Sequence, residues 1–371
     1  MAIIGAGVIG LAIGWRLAQR GFAVNVYDRG QAGQGASWAA AGMLAAGIEA
    51  EPGEQPLYGL NRRSQTLWPG FAAELESASG MEIGLRQEGT LWAALNQDEV
   101  AQLRFHHTLQ ASFGIRVEWL TGAEARRREP HLHPNTPAAL FSPEDHQVDN
   151  RLLAQALARA LRHAGGTIHE EVPVAGIEVE NGRARALRAG KDRVPADTIV
   201  LAAGAWSSDV TGLPPSARPP VRPIKGQMLA LAMDPAAPLL RHVWWARGIY
   251  LVPRRDGRLI VGGTTEERGF DRRITAGGVL SLLERAWRTI PAIEELEIIE
   301  TWAGFRPGSR DDAPILGRCG IENLILATGH HRNGILLTPI TAETISNLVA
   351  TGETDPAIRN FSLARFEDRS C

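Results

Sequence analysis

Two arginines, a tyrosine and a glycine-spaced turn are the residues of this chain with the most chemistry to offer. Arg306 stands between Phe305 and the rigid pair Pro307-Gly308. A guanidinium so placed serves either a surface ion pair or, held at a fixed angle, a two-pronged clamp on a carboxylate. Tyr250, one of three tyrosines, reads as a strand residue with a buried ring and a wet hydroxyl. Arg332 lies in the turn Gly329-His330-His331-Arg332-Asn333-Gly334 ahead of a helical pattern, a poor place for a core residue. His330 and His331 do not make a metal centre. Adjacent side chains point in different directions, and no Asp, Glu or Cys ligand set accompanies them.

Gly5-x-Gly7-x-x-Gly10 follows a short apolar run, Ala2 to Ile4, and opens a helical pattern through Leu11, Ile13, Trp15, Leu17 and Ala18 that stops at Gly21. Phe22 to Tyr27 reads as a second buried strand ending in Asp28. Such a βαβ unit binds a dinucleotide. Gly5 makes the tight turn, Gly7 admits the pyrophosphate to the backbone, Gly10 lets helix and strand pack, and the helix N-terminus attracts phosphate. Asp28 suits the two hydroxyls of an adenosine ribose and repels a 2′-phosphate. The motif alone leaves NAD and FAD open. Only four residues precede Gly5, short for a central strand.

At 371 residues, 44% apolar, the chain is long enough for about two domains. A net charge of −2 gives no electrostatic case for nucleic acid or an anionic membrane surface. There is no apolar run long enough to span a membrane, and no room for a signal peptide before the first strand, so a cytoplasmic enzyme is expected. Cys319 and Cys371 cannot build a disulfide framework.

The elements that must position these groups follow from pattern. Arg29 to Leu44, with Ala36, Ser37, Ala41, Gly42 and Met43, is too rich in small residues for an ordinary core helix and suits either a flexible loop or a segment lying against a flat ligand. Leu57–Leu75 and Val100–Phe113 read as helices, Gly89–Leu95 as a strand, and Leu132 to Leu140 as a connecting loop. Asp149 or Asn150 caps a helix with Leu152, Leu153, Ala156, Leu157, Ala160 and Leu161 on its apolar face. Pro173–Glu180 and Arg183–Ala189 pair across Asn181-Gly182. Asp197–Ala203 is a buried strand that ends in the Gly204 turn, where ligands of open α/β sheets bind. Strands at 227–232, 248–253 and 258–262 precede a helix at 277–290, whose apolar face carries Leu280, Leu283, Ala286, Trp287 and Ile290. A strand at 323–328, the 329–334 turn and a helix at 335–349 close the chain.

Taken together, the fingerprint, Gly35 to Leu44 (GASWAAAGML), Gly204 to Ser207 (GAWS), Pro223 to Gln227 (PIKGQ), Tyr250 to Arg254 (YLVPR), Gly263 to Asp271 (GTTEERGFD), Trp302 to Gly308 (WAGFRPG) and Gly329 to Leu337 (GHHRNGILL) resemble the D-amino-acid oxidase family of FAD flavoproteins. Within it they resemble the bacterial glycine oxidase branch linked to thiamine biosynthesis. The resemblance implies an α/β fold: a Rossmann-like FAD-binding domain of the glutathione-reductase type (1–46, 141–213, 306–371) and an α+β substrate domain with a large, mostly antiparallel sheet (47–140, 214–305).

It further implies that Arg306 anchors the substrate carboxylate, that the Tyr250 hydroxyl joins it, and that Arg332 lies at the flavin face. FAD would be held by Gly5, Gly7, Val8, Ile9, Gly10, Asp28 (where many relatives carry Glu), Arg29, Ala36, Ser37, Ala41, Gly42, Met43, Val174, Gly204, His330, His331, Arg332, Asn333, Gly334, Ile335 and Leu336, with the helix N-terminus at Ile335 facing the ring. The segment 302–317 holds no cysteine, so the FAD is expected to be non-covalent.

The implied reaction oxidises glycine or an N-substituted glycine such as sarcosine or iminodiacetate. Hydride passes to flavin N5, the imine is hydrolysed to an oxo acid, and dioxygen becomes hydrogen peroxide. Alternatives are a dehydrogenase with another electron acceptor, or a non-catalytic nucleotide-binding module. A dicarboxylate would need a second cation, for which Lys225, Arg247, Arg254 and Arg268 are candidates. A homo-oligomer, dimer or tetramer, is implied, with no metal.

Overall fold

The computed structural model describes residues 1–246 and 248–366; Arg247 and Cys371 lie outside the described residues. Two large sheets carry the chain. The first has six strands in the order Ile315–Arg318, Leu324–Thr328, Ile199–Leu201, Ala2–Ile4, Asn25–Tyr27, Thr167–His169. Its strands run parallel except for the edge strand Ile315–Arg318. The short strand Ala2–Ile4 is central. Side chains alternate across a pleat, and each face is buried differently. Ile3, Val26 and Val200 pack under the helices Val8–Gln19, Asn150–His163 and Thr338–Thr351. Ile4, Tyr27, Ile199 and Leu201 meet Ile177 and Leu187 of a three-stranded antiparallel sheet, Val174–Glu180, Arg183–Ala189 and Asp192–Pro195.

The second sheet has eight strands, ordered Ile298–Gly308, Arg222–Ala232, Arg258–Gly262, Ile249–Pro253, Val243–Ala246, Thr90–Ala93, Ala138–Ser142, Glu118–Thr121. It is antiparallel apart from the pair Val243–Ala246 and Thr90–Ala93. Alternation again sorts its two faces. Leu229, Leu231, Leu251 and Val261 pack on Leu282 and Ala286 of helix Ala276–Thr289. Met228, Ala230, Val252 and Trp302 face Ala39 and Ala41, the small-residue segment of the other unit. The α/β class with a parallel nucleotide sheet and a large antiparallel sheet is therefore as expected.

Several sequence expectations shift. Ala138–Leu140, expected in a loop, is strand, because a continuous apolar run is buried between two neighbours. The expected boundaries at 140/141 and 305/306 consequently fall inside strands of the eight-stranded sheet. Helix Gln55–Ser79, placed with the substrate sheet, buries Leu57, Leu60, Trp68, Phe71 and Leu75 against the helical layer of the parallel sheet. In helix Ala276–Thr289 the buried face carries Leu282 and Ala286, while Leu280 (66% exposed) and Trp287 (47%) point outward. The last helix begins at Thr338 with Pro339 in its first turn, a position where the missing N–H costs nothing. Ile335 and Leu336 form turns before it.

Candidate active site

The two sheets enclose one cavity of about 830 Å³, lined from the Gly5–Ile9 turn and Asp28 at one part to Arg306, Tyr250 and Arg332 at another. At the nucleotide part the chain is short of side chains by necessity. A Cβ on Gly5 or Gly10 would collide with backbone, Ala202 O in one case and Gly5 O in the other. Asp28 Oδ2 accepts from Ala6 N at 2.7 Å and Oδ1 from Gly30 N at 2.9 Å. The acid thus pins the phosphate turn to the end of its neighbouring strand and retains lone pairs for a ribose. Ser37 Oγ accepts from Val8 N at 3.0 Å, leaving its own proton to donate into the cavity. Arg29 lies over the Trp206 ring, 4.0 Å from its centroid.

Arg306 projects from strand Ile298–Gly308 opposite Ile224. Its Nη1 donates to Thr264 O at 3.0 Å. Glycines make its bed: a Cβ on Gly226 would come 2.6 Å from Nη1, and one on Gly263 would come 3.0 Å from both Nη2 and the Tyr250 hydroxyl. Arg306 and Tyr250 therefore meet at the Gly263 backbone although 56 residues separate them in sequence. The Tyr250 hydroxyl donates to Met228 Sδ at 3.1 Å. Burial pushes its pKa up, with Arg306 pulling the other way, so the phenol stays a donor at neutral pH.

The 329–334 turn forms a third wall, joined to strand Ile298–Gly308 by a bridge between Gly308 and His330. Arg332 Nη2 donates to both carboxylate oxygens of Glu54, at 3.0 and 2.8 Å, and its Nε stands 3.6 Å from Glu49 Oε2. His330 Nε2 is 3.2 Å from Thr341 Oγ1, and burial depresses its pKa to about 3. His331 falls to about 3 as well, from burial and from Arg306, Arg332 and Arg222. Its 3.7 Å approach to Asp312 is thus a dipolar contact between a neutral imidazole and a carboxyl group, not an ion pair. Asn333 Nδ2 is buried, lines the cavity wall and has no hydrogen-bond acceptor among the described residues.

Every site residue expected from sequence lines this cavity except Gly10, which acts one layer below. The candidates for a second cation fare differently. Arg254 is buried and bound to Gln147, Val148 O, Ala41 O and Asn150, so it staples the 41–43 segment to 147–150. Lys225 is 0% exposed and donates to Arg273 O. Arg268 is exposed and away from the cavity lining. Besides Arg306, the arginines lining the cavity among the described residues are Arg29, Arg272 and Arg332. Sequence reasoning missed Glu49, Trp245 and Met228, all of which line the cavity. Glu49 sits five residues beyond the recognised GASWAAAGML stretch, and only the fold turns it inward.

The small-residue walls, the close backbone approach that Gly5 and Gly7 allow and the unpaired Asn333 amide suit a dinucleotide carrying a flat ring, FAD among them. A family model described as FAD dependent oxidoreductase, DAO, matches residues 1–348. The chain is 38% identical to a glycine oxidase of Geobacillus kaustophilus (strain HTA426), over 98% of this chain and 96% of that one. It is similar in structure to the crystal structure of glycine oxidase from Geobacillus kaustophilus, with a TM-score of 0.91 covering 98% of both chains. The crystal structure of iminodiacetate oxidase from Chelativorans sp. BNC1 is 28% identical, with a TM-score of 0.88 over 97% of this chain and 98% of that one.

Proposed function

Because the chain belongs to the DAO family of FAD-dependent oxidoreductases, we propose that it oxidises glycine or a small N-substituted glycine. The observation that carries this reading is the meeting of Arg306 and Tyr250 over Gly226 and Gly263, in the same cavity as the nucleotide turn. Relatives named for glycine and iminodiacetate point to the same substrate class.

Arg306 offers two parallel N–H donors to a substrate carboxylate, and the Tyr250 hydroxyl turns to add a third. A carboxylate held at three points fixes where its α-carbon lies, and positioning of this kind is the main contribution of the chain to the rate. Met228, Trp245 and Tyr250 wall the space beyond the anchor, which favours substrates with small α-substituents. FAD, when bound, would supply the hydride acceptor, with dioxygen as the final oxidant and hydrogen peroxide as its product. Gly5, Gly7, Asp28, Ser37 and Val174 would hold its adenosine and phosphate half. Gly42, Met43 and the 330–336 turn would hold its ring, with Asn333 Nδ2 donating to it. Neutral His330 and His331 leave Arg332 and the backbone N–H groups as the positive elements of that turn.

Anaerobic mixing of the yellow holoprotein with glycine, sarcosine or iminodiacetate tests the reading. Loss of flavin absorbance with at least one of them, restored rapidly by air, is the expected result. A flavin that none of them reduces would overturn it, and reduction followed by sluggish reoxidation would assign a different electron acceptor.

A further inference from the structure

We propose that Glu49 recognises the amine of the substrate, accepting N–H bonds from the ammonium of a zwitterion whose carboxylate rests on Arg306. The assignment rests on the amino-acid oxidase reading and adds the group that separates amino acids from other small acids.

Glu49 is held rigidly. Asp145, buried beneath it, accepts from Gly47 N at 2.8 Å and Ile48 N at 2.6 Å, and Gln65 Nε2 reaches the same carboxylate at 2.9 Å. Glu49 Oε1 accepts from Trp245 Nε1 at 3.0 Å. Its Oε2 faces Arg332 Nε at 3.6 Å, too far for a hydrogen bond, while Arg332 commits Nη2 to Glu54. One carboxylate oxygen is thereby left with lone pairs for another donor. The side chain keeps 17% of its surface open, and it lines the cavity together with Arg306 and Tyr250.

Charge complementarity points the same way. Burial disfavours the ionised carboxyl of Glu49 and so does Asp145; Arg332, Trp245 and Arg306 favour it. Against the burial of its guanidinium, Arg332 answers three carboxylates of one segment, Glu49, Glu54 and Glu51. A substrate ammonium supplies the remaining compensation. The three pairs then close: carboxylate on Arg306, ammonium on Glu49, Glu54 on Arg332. An α-hydroxy acid of the same shape makes the first pair and leaves the third undisturbed, but brings no cation to Glu49.

The test compares glycine with glycolate on FAD-loaded protein. The glycine dissociation constant comes from the concentration dependence of anaerobic flavin reduction, and that of glycolate from perturbation of the flavin spectrum. For Glu49→Gln, which keeps the Trp245 bond and removes the charge, glycine binding should weaken about 10- to 100-fold, the range of a charge-assisted hydrogen bond. Glycolate binding should change by less than about threefold on the same scale. Equal effects on both ligands, or none on either, overturn the proposal. If the Gln variant does not retain FAD, Glu49→Asp is read in its place: the retracted charge should weaken glycine more than glycolate, and an equal loss is the overturning result. Arg306→Ala separates the two readings. It should weaken both ligands together, and a variant that weakens neither would strike the anchor assignment and leave the Glu49 comparison standing.

Discussion

Replacing Gly226 with alanine should disable the anchor without touching it. The added methyl would sit 2.6 Å from Arg306 Nη1 and 3.0 Å from its Cζ and Nη2. Ordinary contact begins near 3.4 Å, so the guanidinium must retreat by about 0.8 Å. Nη1 is tied to Thr264 O and Nη2 lies beside Gly263, so the movement breaks the first contact or carries the guanidinium out into the cavity, away from its place. A displacement near 1 Å at a positioning group costs on the order of 100-fold. Alanine is otherwise the better strand residue, since glycine loses more backbone freedom on folding. The expected outcome is therefore a fall in kcat/KM for glycine of roughly 30- to 100-fold, with FAD content and melting temperature near those of the parent. Peroxide-coupled kinetics and the visible flavin spectrum read both quantities. A variant with bound flavin and kcat/KM within about threefold of the parent would refute the claim that the glycine bed sets the anchor.

Arg254→Met should destabilise the protein by about 3–5 kcal/mol in denaturant titrations, because it leaves four buried acceptors without their donor, while Asp149 keeps its 2.7 Å pair with Arg258. FAD should leave first, since the staple holds Ala41 and Gly42 in the cavity wall; Arg268→Met, on the surface, should cost less than about 0.5 kcal/mol. Acid should also weaken the fold through the turn histidines. Folded-state values of about 3 lie below the ordinary value of about 6.5. The unfolded chain then binds protons that the folded one refuses, so stability is present above pH 6.5 and is lost as pH falls toward 3. At pH 5 the loss is about 2 kcal/mol per histidine. His331→Asn, which tolerates the left-handed backbone at φ 45°, should recover about that amount between pH 7 and pH 5; an unchanged pH slope would contradict it.

Much of this architecture could be read from local pattern. The nucleotide unit is legible because each step, strand, glycine turn, helix, strand and acid, is encoded within 28 consecutive residues. Arg306 stood out beside Pro-Gly, but its neighbours alone allowed a surface ion pair as readily as a clamp, and only the family resemblance implied an anchor. What escaped depends on contacts distant in sequence. Glu49 is turned inward by Asp145, nearly a hundred residues away, and no spacing rule connects them. Arg254 looks like any cation after a strand until Ala41, Gln147 and Asn150 close around it. The apolar face of helix Ala276–Thr289 was misread because its glycine-rich first turn supports more than one helical stripe. Ala138–Leu140 hid as a loop because Pro, His and Asn precede it, although the apolar run itself is strand.

Oxygen consumption by the holoprotein and by Arg306→Ala, measured across glycine, sarcosine, iminodiacetate and D-alanine, puts the central claim to its most direct trial. The account predicts uptake with glycine or its N-substituted relatives, and a rise in KM of about 100-fold or more when the guanidinium is removed while FAD stays bound. An unchanged KM in Arg306→Ala, or no uptake with any of the four, would contradict it.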